Sequence, residues 1–401
     1  MRRTVASLLV SARHNRRENS CATGPLTGIG PAASWCLTAG LPGVDNEAPS
    51  PAAFTNEAQV IAREGLAPVA LHALRHEPNY TSTWAFKEFR RATGFAEMRA
   101  MAAASAGTNY LAALDELEVA STIVKGPAVA RFHPAGWPRA YVDIDVVVTT
   151  DTFALATEQA LAMGFHFSDR AVPQWEWFNT VCREGANLHS DAGGNVDLHH
   201  HISPWALGVG LPASDLIHRS SSMPLCGQEV KVAAPEDLIV VSALHVLNDL
   251  WKATAGLNSW RDVLVLISVL GQDGARQAFA RANLLGLFDL MEAHLAETLP
   301  SAGLTPTATP AEISASVRFH LASLGWTRSR WPTKLRLAWA TRLPPKNAVA
   351  YLAGVAVPSR AYIHERHGSY GHYWSQGIKE IWTTRQGSDH RMSTVADAPQ
   401  P

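Results

Sequence analysis

Three aspartates in two short apolar segments carry the strongest chemical signal in the sequence. Asp143 and Asp145 alternate with apolar residues in the run Tyr-Val-Asp-Ile-Asp-Val-Val-Val at 141–148. In a strand, residues two apart leave the same face with Cα atoms about 6 to 7 Å apart, so both carboxylates can converge on metal ions. Asp197 supplies a third acid within Asn195–His199. Acids on two neighbouring strands are typical of sites where two Mg²⁺ ions promote phosphoryl transfer.

An ordinary exposed sheet face is the alternative interpretation of the acidic run. Alternating polar and apolar positions are normal where one face of a sheet is in water. Here Val147 continues the acidic face with an apolar residue, and the other face is an apolar row of Val142, Ile144, Val146 and Val148. Two acids in such a strand are costly unless a cation neutralises them, which favours a metal site.

Two basic residues and a glycine precede the acidic strand. Lys125 directly follows the strand-like run 121–124. From there its ammonium can bind a phosphate as a point charge or simply extend into solvent. Gly126 allows the backbone to approach a phosphate closely, and it equally suits a plain turn. Arg139 stands just before the acidic strand. There it can neutralise an acid or a triphosphate, or it can be an ordinary loop residue without a function.

Histidines around Asp197 raise the alternative of a metal-dependent hydrolase built on Asp197, His189, His199 and His201. His199 and His201 share the strand face of Asp197, and histidine is the commonest metal ligand. Consecutive histidines, however, do not converge on one metal, and the spacing of zinc proteases is missing. We therefore predict that His199 supports the metal site without binding the metal. His245, on an apolar helix face, is typical of a hydrogen-bonded core histidine.

These motifs, in this order, resemble the uncharacterised nucleotidyltransferase family of the DNA polymerase β-like superfamily. The resemblance covers about 121–203 and rests on Val124-Lys125-Gly126, on Arg139 separated by three residues from Asp143-Ile144-Asp145, and on Val196-Asp197-Leu198-His199. It implies that the three aspartates are catalytic and hold two Mg²⁺ ions, and that Asp197 orients or deprotonates the acceptor hydroxyl. It further implies that the nucleotide is bound by Lys125, Gly126 and Arg139.

The implied reaction transfers a nucleoside monophosphate from an NTP, ATP by default, to an acceptor hydroxyl and releases pyrophosphate. The acceptor class stays open among small molecules, peptides and RNA. The Gly-Ser pair with which many members of the superfamily hold the triphosphate is missing, and Lys125-Gly126 stands in its place. The identity of the nucleotide is therefore open. A noncatalytic binding or accessory protein on the same fold is a further alternative.

Helical and strand-like patterns alternate in the way expected of an α/β (α+β) protein, with a small mixed sheet, flanking helices and a C-terminal helical region. Strands are predicted at 121–124, 141–148, 180–183 and 195–199. Helices are predicted at 56–76, 83–117, 152–163, 235–250, 259–270, 273–298 and 310–324. We divide the chain into a disordered tail (1–54), an N-terminal helical region (55–120), a nucleotidyltransferase core (121–234), a C-terminal helical region (235–330) and a basic, aromatic extension with a frayed end (331–401).

Composition narrows the classes of partner. The 401 residues include 47% hydrophobic and 17% charged residues, a globular balance. The formal net charge of -1 means that the protein has no overall positive charge to attract the phosphates of DNA. Apolar runs are shorter than the roughly 20 residues of a membrane span. Four scattered cysteines with no C-x-x-C pair fit a reducing compartment, so a cytoplasmic protein without membrane partners is expected.

Overall fold

The computed structural model describes residues 26, 29–167, 185–191, 193–202, 211–251, 256–309, 311, 353–354 and 357–375. In this part of the chain a mixed sheet of seven strands lies among helices. The predicted α+β architecture with a mixed sheet and flanking helices is confirmed.

The sheet places its most apolar strand near the centre. Its strands are β1 (Ser121–Ile123), β2 (Ile144–Val148), β3 (Phe165–Phe167), β4 (Gly185–Ser190), β5 (Asn195–His199), β6 (Ser221–Leu225) and β7 (Gln228–Val232). Their spatial order is β3-β4-β5-β2-β1-β7-β6. The pairs β2–β5 and β1–β7 are parallel, and the other neighbours are antiparallel. All five residues of β2 are buried, which explains its run of valines.

The helices precede, interrupt and follow the strands. They are α1 (Pro31–Thr38), α2 (Pro51–Arg63), α3 (Ala67–Leu74), α4 (Pro78–Thr81), α5 (Trp84–Glu116), α6 (Pro127–Ala130), α7 (Phe153–Ala162), α8 (Ala213–His218), α9 (Pro235–Trp251), α10 (Leu257–Arg281), α11 (Leu285–Thr298), a 3₁₀ turn (Pro300–Ala302) and α12 (Arg360–Arg366). The long helix α5 contacts β1, β2, β5 and β7, and α9 packs along α10. Within the described residues, no helix combines the length and apolar character that a membrane crossing requires.

Two glycines with positive φ mark helix boundaries, one inside a predicted helical stretch and one between two predicted helices. The helix expected over 56–76 is instead the pair α2 and α3, because Gly65 between them has a φ of 77°. Gly271, with φ 70° and ψ 162°, interrupts α10 at a point where the pattern indicated a boundary between two helices. The predicted strand 180–183 lies outside the described residues, and so does nearly all of the predicted helix 310–324.

The structure differs from the expected disordered tail between residues 29 and 54, where α1 forms a buried helix. Two backbone N–H groups in its first turn donate to the Glu57 carboxylate at 2.8 and 3.2 Å. Three carbonyls at its end accept hydrogen bonds of 2.7 to 3.1 Å from the buried Arg261 guanidinium. An acid at the first turn and a cation at the last both match the helix dipole. The Gly-, Pro- and Ala-rich local sequence does not reveal these distant partners.

Candidate active site

The centre of the site is a pair of acids on adjacent strands. Asp145 of β2 and Asp197 of β5 are paired in the parallel register, so both side chains leave the same face of the sheet. Asp145 is 2% exposed, whereas Asp197 is partly exposed. β2 is apolar on both sides of Asp145, and this burial makes a lone carboxylate there costly.

His199 joins the two acids. One donor atom from each of Asp145, Asp197 and His199 can be chosen so that all three atoms lie within 4.8 Å of one another. His199 Nε2 lies 3.4 Å from Asp145 Oδ1. Asp143 is outside this group of three donors because β2 begins at Ile144, and Asp143 occupies the irregular segment just before it. Asp143 is still coupled to the cluster, because its charge helps to raise the pKa of Asp197 and the charge of Asp145 raises its own pKa.

The three carboxylates divide into one that stays charged and two that resist ionisation. Burial opposes the charge of Asp145, but the Lys125 ammonium and the contact with His199 outweigh it and hold the pKa of Asp145 below its usual range. Burial and the negative charge of Asp145 raise the pKa of Asp143. Burial and the charges of the other two acids raise the pKa of Asp197 to about 7. A bound cation would favour the ionised form of all three carboxylates.

The donor set fits a divalent cation. Asp145 Oδ2 is buried and has no hydrogen-bond partner among the described residues. Buried polar atoms are almost always paired, so this oxygen indicates an added ligand. Clustered carboxylate oxygens suit Mg²⁺, and a histidine nitrogen beside them also suits transition metals.

Lys125 approaches the acids from the end of β1, and His245 of α9 holds it. Lys125 Nζ lies 2.8 Å from His245 Nδ1. An ammonium only donates, so His245 Nδ1 accepts this hydrogen bond and the ring proton lies on Nε2. His245 Nε2 in turn faces Asp145 Oδ1 at 4.0 Å. His245 is thus a contact of the site and not a core residue, which only the approach of α9 to the sheet reveals.

Gly126 shapes the turn beside Lys125. Its φ of 54° is in the left-handed region, and a Cβ at this position would lie 2.9 Å from the Asp143 carbonyl oxygen. Any larger residue would therefore strain the backbone and push against the segment that carries the acids. The glycine satisfies a steric requirement there, whether or not the turn also binds a phosphate.

Arg139 is directed into the protein toward Asp262. Its Nε and Nη2 donate to Asp262 Oδ1 and Oδ2 at 2.7 and 2.6 Å, and its side chain is 3% exposed. Its Nη1 lies 3.4 Å from the Gly126 carbonyl oxygen. Asp262 also contacts His133 Nε2 at 3.1 Å. This ion pair braces the Gly126 turn. The sequence indicated Asp262 as an acid three residues after the predicted N-cap Ser259, but not as the partner of Arg139.

The other histidines named from the sequence lie apart from the three grouped donors. His189 Nδ1 is 2.7 Å from Asn195 Oδ1 in the β4–β5 ladder. The rings of His200 and His201 contact each other, with centroids 4.2 Å apart. Within the described residues, the group of potential metal ligands includes neither His189 nor His201.

Comparison with known proteins gives one match. The sequence model of a family described as uncharacterised nucleotidyltransferase matches residues 52–297. That range is more than half of the chain, and it contains all seven strands and every residue of the acidic cluster. No curated protein and no solved structure matches the chain.

Proposed function

Because the chain belongs to the uncharacterised nucleotidyltransferase family, we propose that it transfers a nucleoside monophosphate from an NTP to an acceptor hydroxyl. The observation that carries the proposal is the pairing of Asp145 with Asp197 on adjacent parallel strands, with His199 grouped beside them as a third possible metal donor. The family resemblance expected from the sequence is confirmed by the match over residues 52–297.

Asp145 and Asp197 are the residues that we propose to hold Mg²⁺, with Asp143 contributing from the segment before β2. When bound, Mg²⁺ supplies positive charge to the triphosphate and the transition state. His199, at 3.4 Å from Asp145 Oδ1, orients that carboxylate. A histidine held against a metal-binding carboxylate fixes its direction, as outer partners of metal sites generally do.

The remaining groups align the two substrates. The acceptor oxygen attacks the α-phosphorus. The bond between the α-phosphorus and the oxygen that bridges it to the β-phosphorus breaks, and pyrophosphate leaves. Asp197 orients the acceptor hydroxyl and takes its proton, while Lys125, held by His245, offsets charge on the departing phosphates. Arg139, held by Asp262, contacts the carbonyl of the Gly126 turn directly, so its proposed part in nucleotide binding is to position that turn. Alignment and charge neutralisation supply most of the catalysis.

Equilibrium binding of each NTP, with and without Mg²⁺, tests this function. We expect Mg²⁺-dependent binding of one nucleotide, ATP being the first choice, to the wild-type protein. The double variant Asp143→Asn/Asp145→Asn should lose it. Asp191→Asn is the matched control, because Asp191 is an exposed aspartate in the turn before β5. If no NTP binds, the transferase proposal fails and a noncatalytic binding protein becomes the better interpretation.

A metal-dependent hydrolase is the second candidate, and the presence of His199 among the grouped donors favours it. Imidazole nitrogens bind zinc well, whereas Mg²⁺ prefers oxygen ligands. Stoichiometric zinc in the purified protein, lost in His199→Ala but kept in His201→Ala, would support this candidate. Retention of NTP binding in His199→Ala without any bound zinc would reject it.

A further inference from the structure

The sheet face that carries the acidic cluster continues across β5, β4 and β3, on the side away from β1. In the antiparallel registers Asn187 stands opposite Asp197, and His189 stands opposite both Asn195 and His166. Directly paired residues leave the same face of a sheet, and residues two apart in a strand do so too. Four polar side chains therefore extend the face of Asp197, and we call them the polar row: Asn187, His189, Asn195 and His166.

The opposite face of these strands is apolar and covered. Leu188 and Val196, which alternate with the polar row, are buried. Helix α5 packs on this apolar face, because a Cβ on its Gly107 would lie 2.6 Å from the side chain of Ile144. The polar row is on the other side of the sheet from α5, and Asn187 is exposed there.

The polar row offers both donors and acceptors beside the Asp197 carboxylate. Asn195 Nδ2 donates to the Val142 carbonyl at 3.3 Å, and Asn195 Oδ1 lies 2.7 Å from His189 Nδ1. An amide oxygen only accepts, so the proton of the neutral His189 ring lies on Nδ1 and its Nε2 is an acceptor. Neither His189 Nε2 nor the Asn187 amide has a hydrogen-bond partner among the described residues. Both groups are therefore available to a ligand.

The charge of this face distinguishes between classes of acceptor. Strands β3, β4 and β5 contain no lysine or arginine, and the Lys125 ammonium approaches the acids from the β1 side. Phosphates are bound mainly by such cations, so the polar row does not suit RNA or a phosphorylated acceptor. It also has no aliphatic side chain for an apolar acceptor. Groups that donate and accept without a charge match hydroxyls, which do the same.

We propose that the acceptor is an unphosphorylated carbohydrate that lies along the polar row, an inference that rests on the proposed nucleotidyl transfer. One sugar hydroxyl lies at Asp197, which takes its proton as the oxygen attacks the α-phosphorus. The bond between that phosphorus and the bridging oxygen breaks, pyrophosphate leaves, and the product is a phosphodiester of the sugar and the nucleoside. Neighbouring hydroxyls exchange hydrogen bonds with the Asn187 amide and donate to His189 Nε2. Asn187 is thus a specificity-determining residue for the acceptor.

Transfer of label from α-³²P-labelled NTP by the full chain with Mg²⁺ tests the acceptor class. The probes are neutral mono- and disaccharides, the 6-phosphates of the same monosaccharides, an RNA oligonucleotide with a free 3′-hydroxyl, and a peptide that contains serine and threonine. We expect label on at least one neutral sugar, with kcat/KM about tenfold or more lower for its phosphate, because no cation of the polar row offsets the added charge. Label on RNA or on the peptide and on no sugar would overturn the carbohydrate acceptor, and so would equal transfer to a sugar and its phosphate.

Asn187→Ala tests the polar row. Loss of one neutral hydrogen bond should raise KM for the sugar about fivefold and leave KM for the NTP unchanged. Asn109→Ala is the matched control, because Asn109 is an exposed asparagine on α5, behind the apolar face. An unchanged KM for the sugar in Asn187→Ala, or equal rises for sugar and NTP, would overturn the role of the row.

Equilibrium binding of NTP separates this inference from the function on which it rests. Mg²⁺-dependent NTP binding that Asp143→Asn/Asp145→Asn abolishes, without transfer of label to any sugar, would overturn the carbohydrate acceptor and leave the proposed function standing. Lack of NTP binding would overturn both.

Discussion

Asp145 and Asp197 occupy paired positions on the parallel strands β2 and β5, the first buried and the second partly exposed. We expect Mg²⁺ to stabilise the folded protein through these two carboxylates. A ligand at 100 times its Kd adds about 2.7 kcal/mol to the free energy of unfolding. Chemical unfolding with 10 mM Mg²⁺ or with EDTA measures this gain, where 10 mM is roughly saturating for a site with a Kd of about 0.1 mM.

The gain should vanish in Asp145→Asn and in Asp197→Asn and persist in Asp191→Asn. Asp191 lies at the exposed end of the β4–β5 hairpin and shares the sheet without joining the cluster. Equal gains in all four proteins would place the Mg²⁺ elsewhere.

The raised pKa of Asp197 predicts how the metal-free protein responds to pH. The folded state keeps a proton up to a pKa of about 7, whereas an unfolded aspartate loses it near 3.9. The free energy of unfolding should therefore fall as pH rises from about 4 to about 7, by on the order of a few kcal/mol from this group. Urea unfolding in EDTA at pH 5 and pH 7.5 measures the fall.

Asp197→Asn is the comparison for this pH effect, since an amide cannot titrate. The free energy of unfolding of the wild type, relative to that of the variant, should fall between about pH 4 and about pH 7 and stay constant above that pH. A difference that stays constant from pH 5 to 7.5 would show that Asp197 titrates normally.

The Arg139–Asp262 pair predicts a large loss of stability. Asp262→Asn would leave the buried Arg139 guanidinium without its counter-charge, at a cost of about 3 to 5 kcal/mol. Glu88→Gln is the control, because its partner Arg91 is exposed and such pairs add little. Thermal or urea unfolding compares the two, and an equally small effect of both changes would contradict the bracing role.

Cysteine reactivity reports the docking of α1. Burial raises the pKa of the Cys36 thiol to about 12, whereas Cys226 is exposed in the β6–β7 turn. Thiolates are the reactive form, so iodoacetamide at pH 8 should label Cys226 and spare Cys36 until the protein is unfolded. Peptide mass spectrometry measures both sites. Glu57→Gln weakens the hydrogen bonds to the first turn of α1, so we expect faster labelling of Cys36 in this variant. Rapid labelling of Cys36 in the native wild-type protein would show that α1 is not docked.

Strands and helices with strong local patterns were predictable. Segment 195–199 is a strand with the same bounds as expected, and the helix expected over 83–117 is α5, whose first turn is capped by Thr83. By contrast, β6 and β7 were not expected. Their alternation is weak because most of their residues are exposed, and only their pairing across the Gly227 turn defines them.

The acids of the site could be predicted because strand periodicity alone places Asp145 and Asp197. Their direct pairing could not, since it depends on β5 crossing to lie beside β2. His245 and Asp262 are more than 100 residues from Lys125 and Arg139, and no local pattern connects them. Such contacts follow from how α9 and α10 pack, which is a property of the whole fold.

The two anchors of α1 limit where the chain can be cut. A fragment made to the bounds of the family match, 52–297, would retain Glu57 and Arg261 but lose every backbone group that they bind. Arg261 is wholly buried, and burial already lowers its pKa to about 10. Without α1 the Arg261 guanidinium would lose its three carbonyl acceptors, and the face of α10 that α1 covers would be exposed. We therefore expect a fragment that begins ahead of residue 30 to be more stable than one that begins at residue 52.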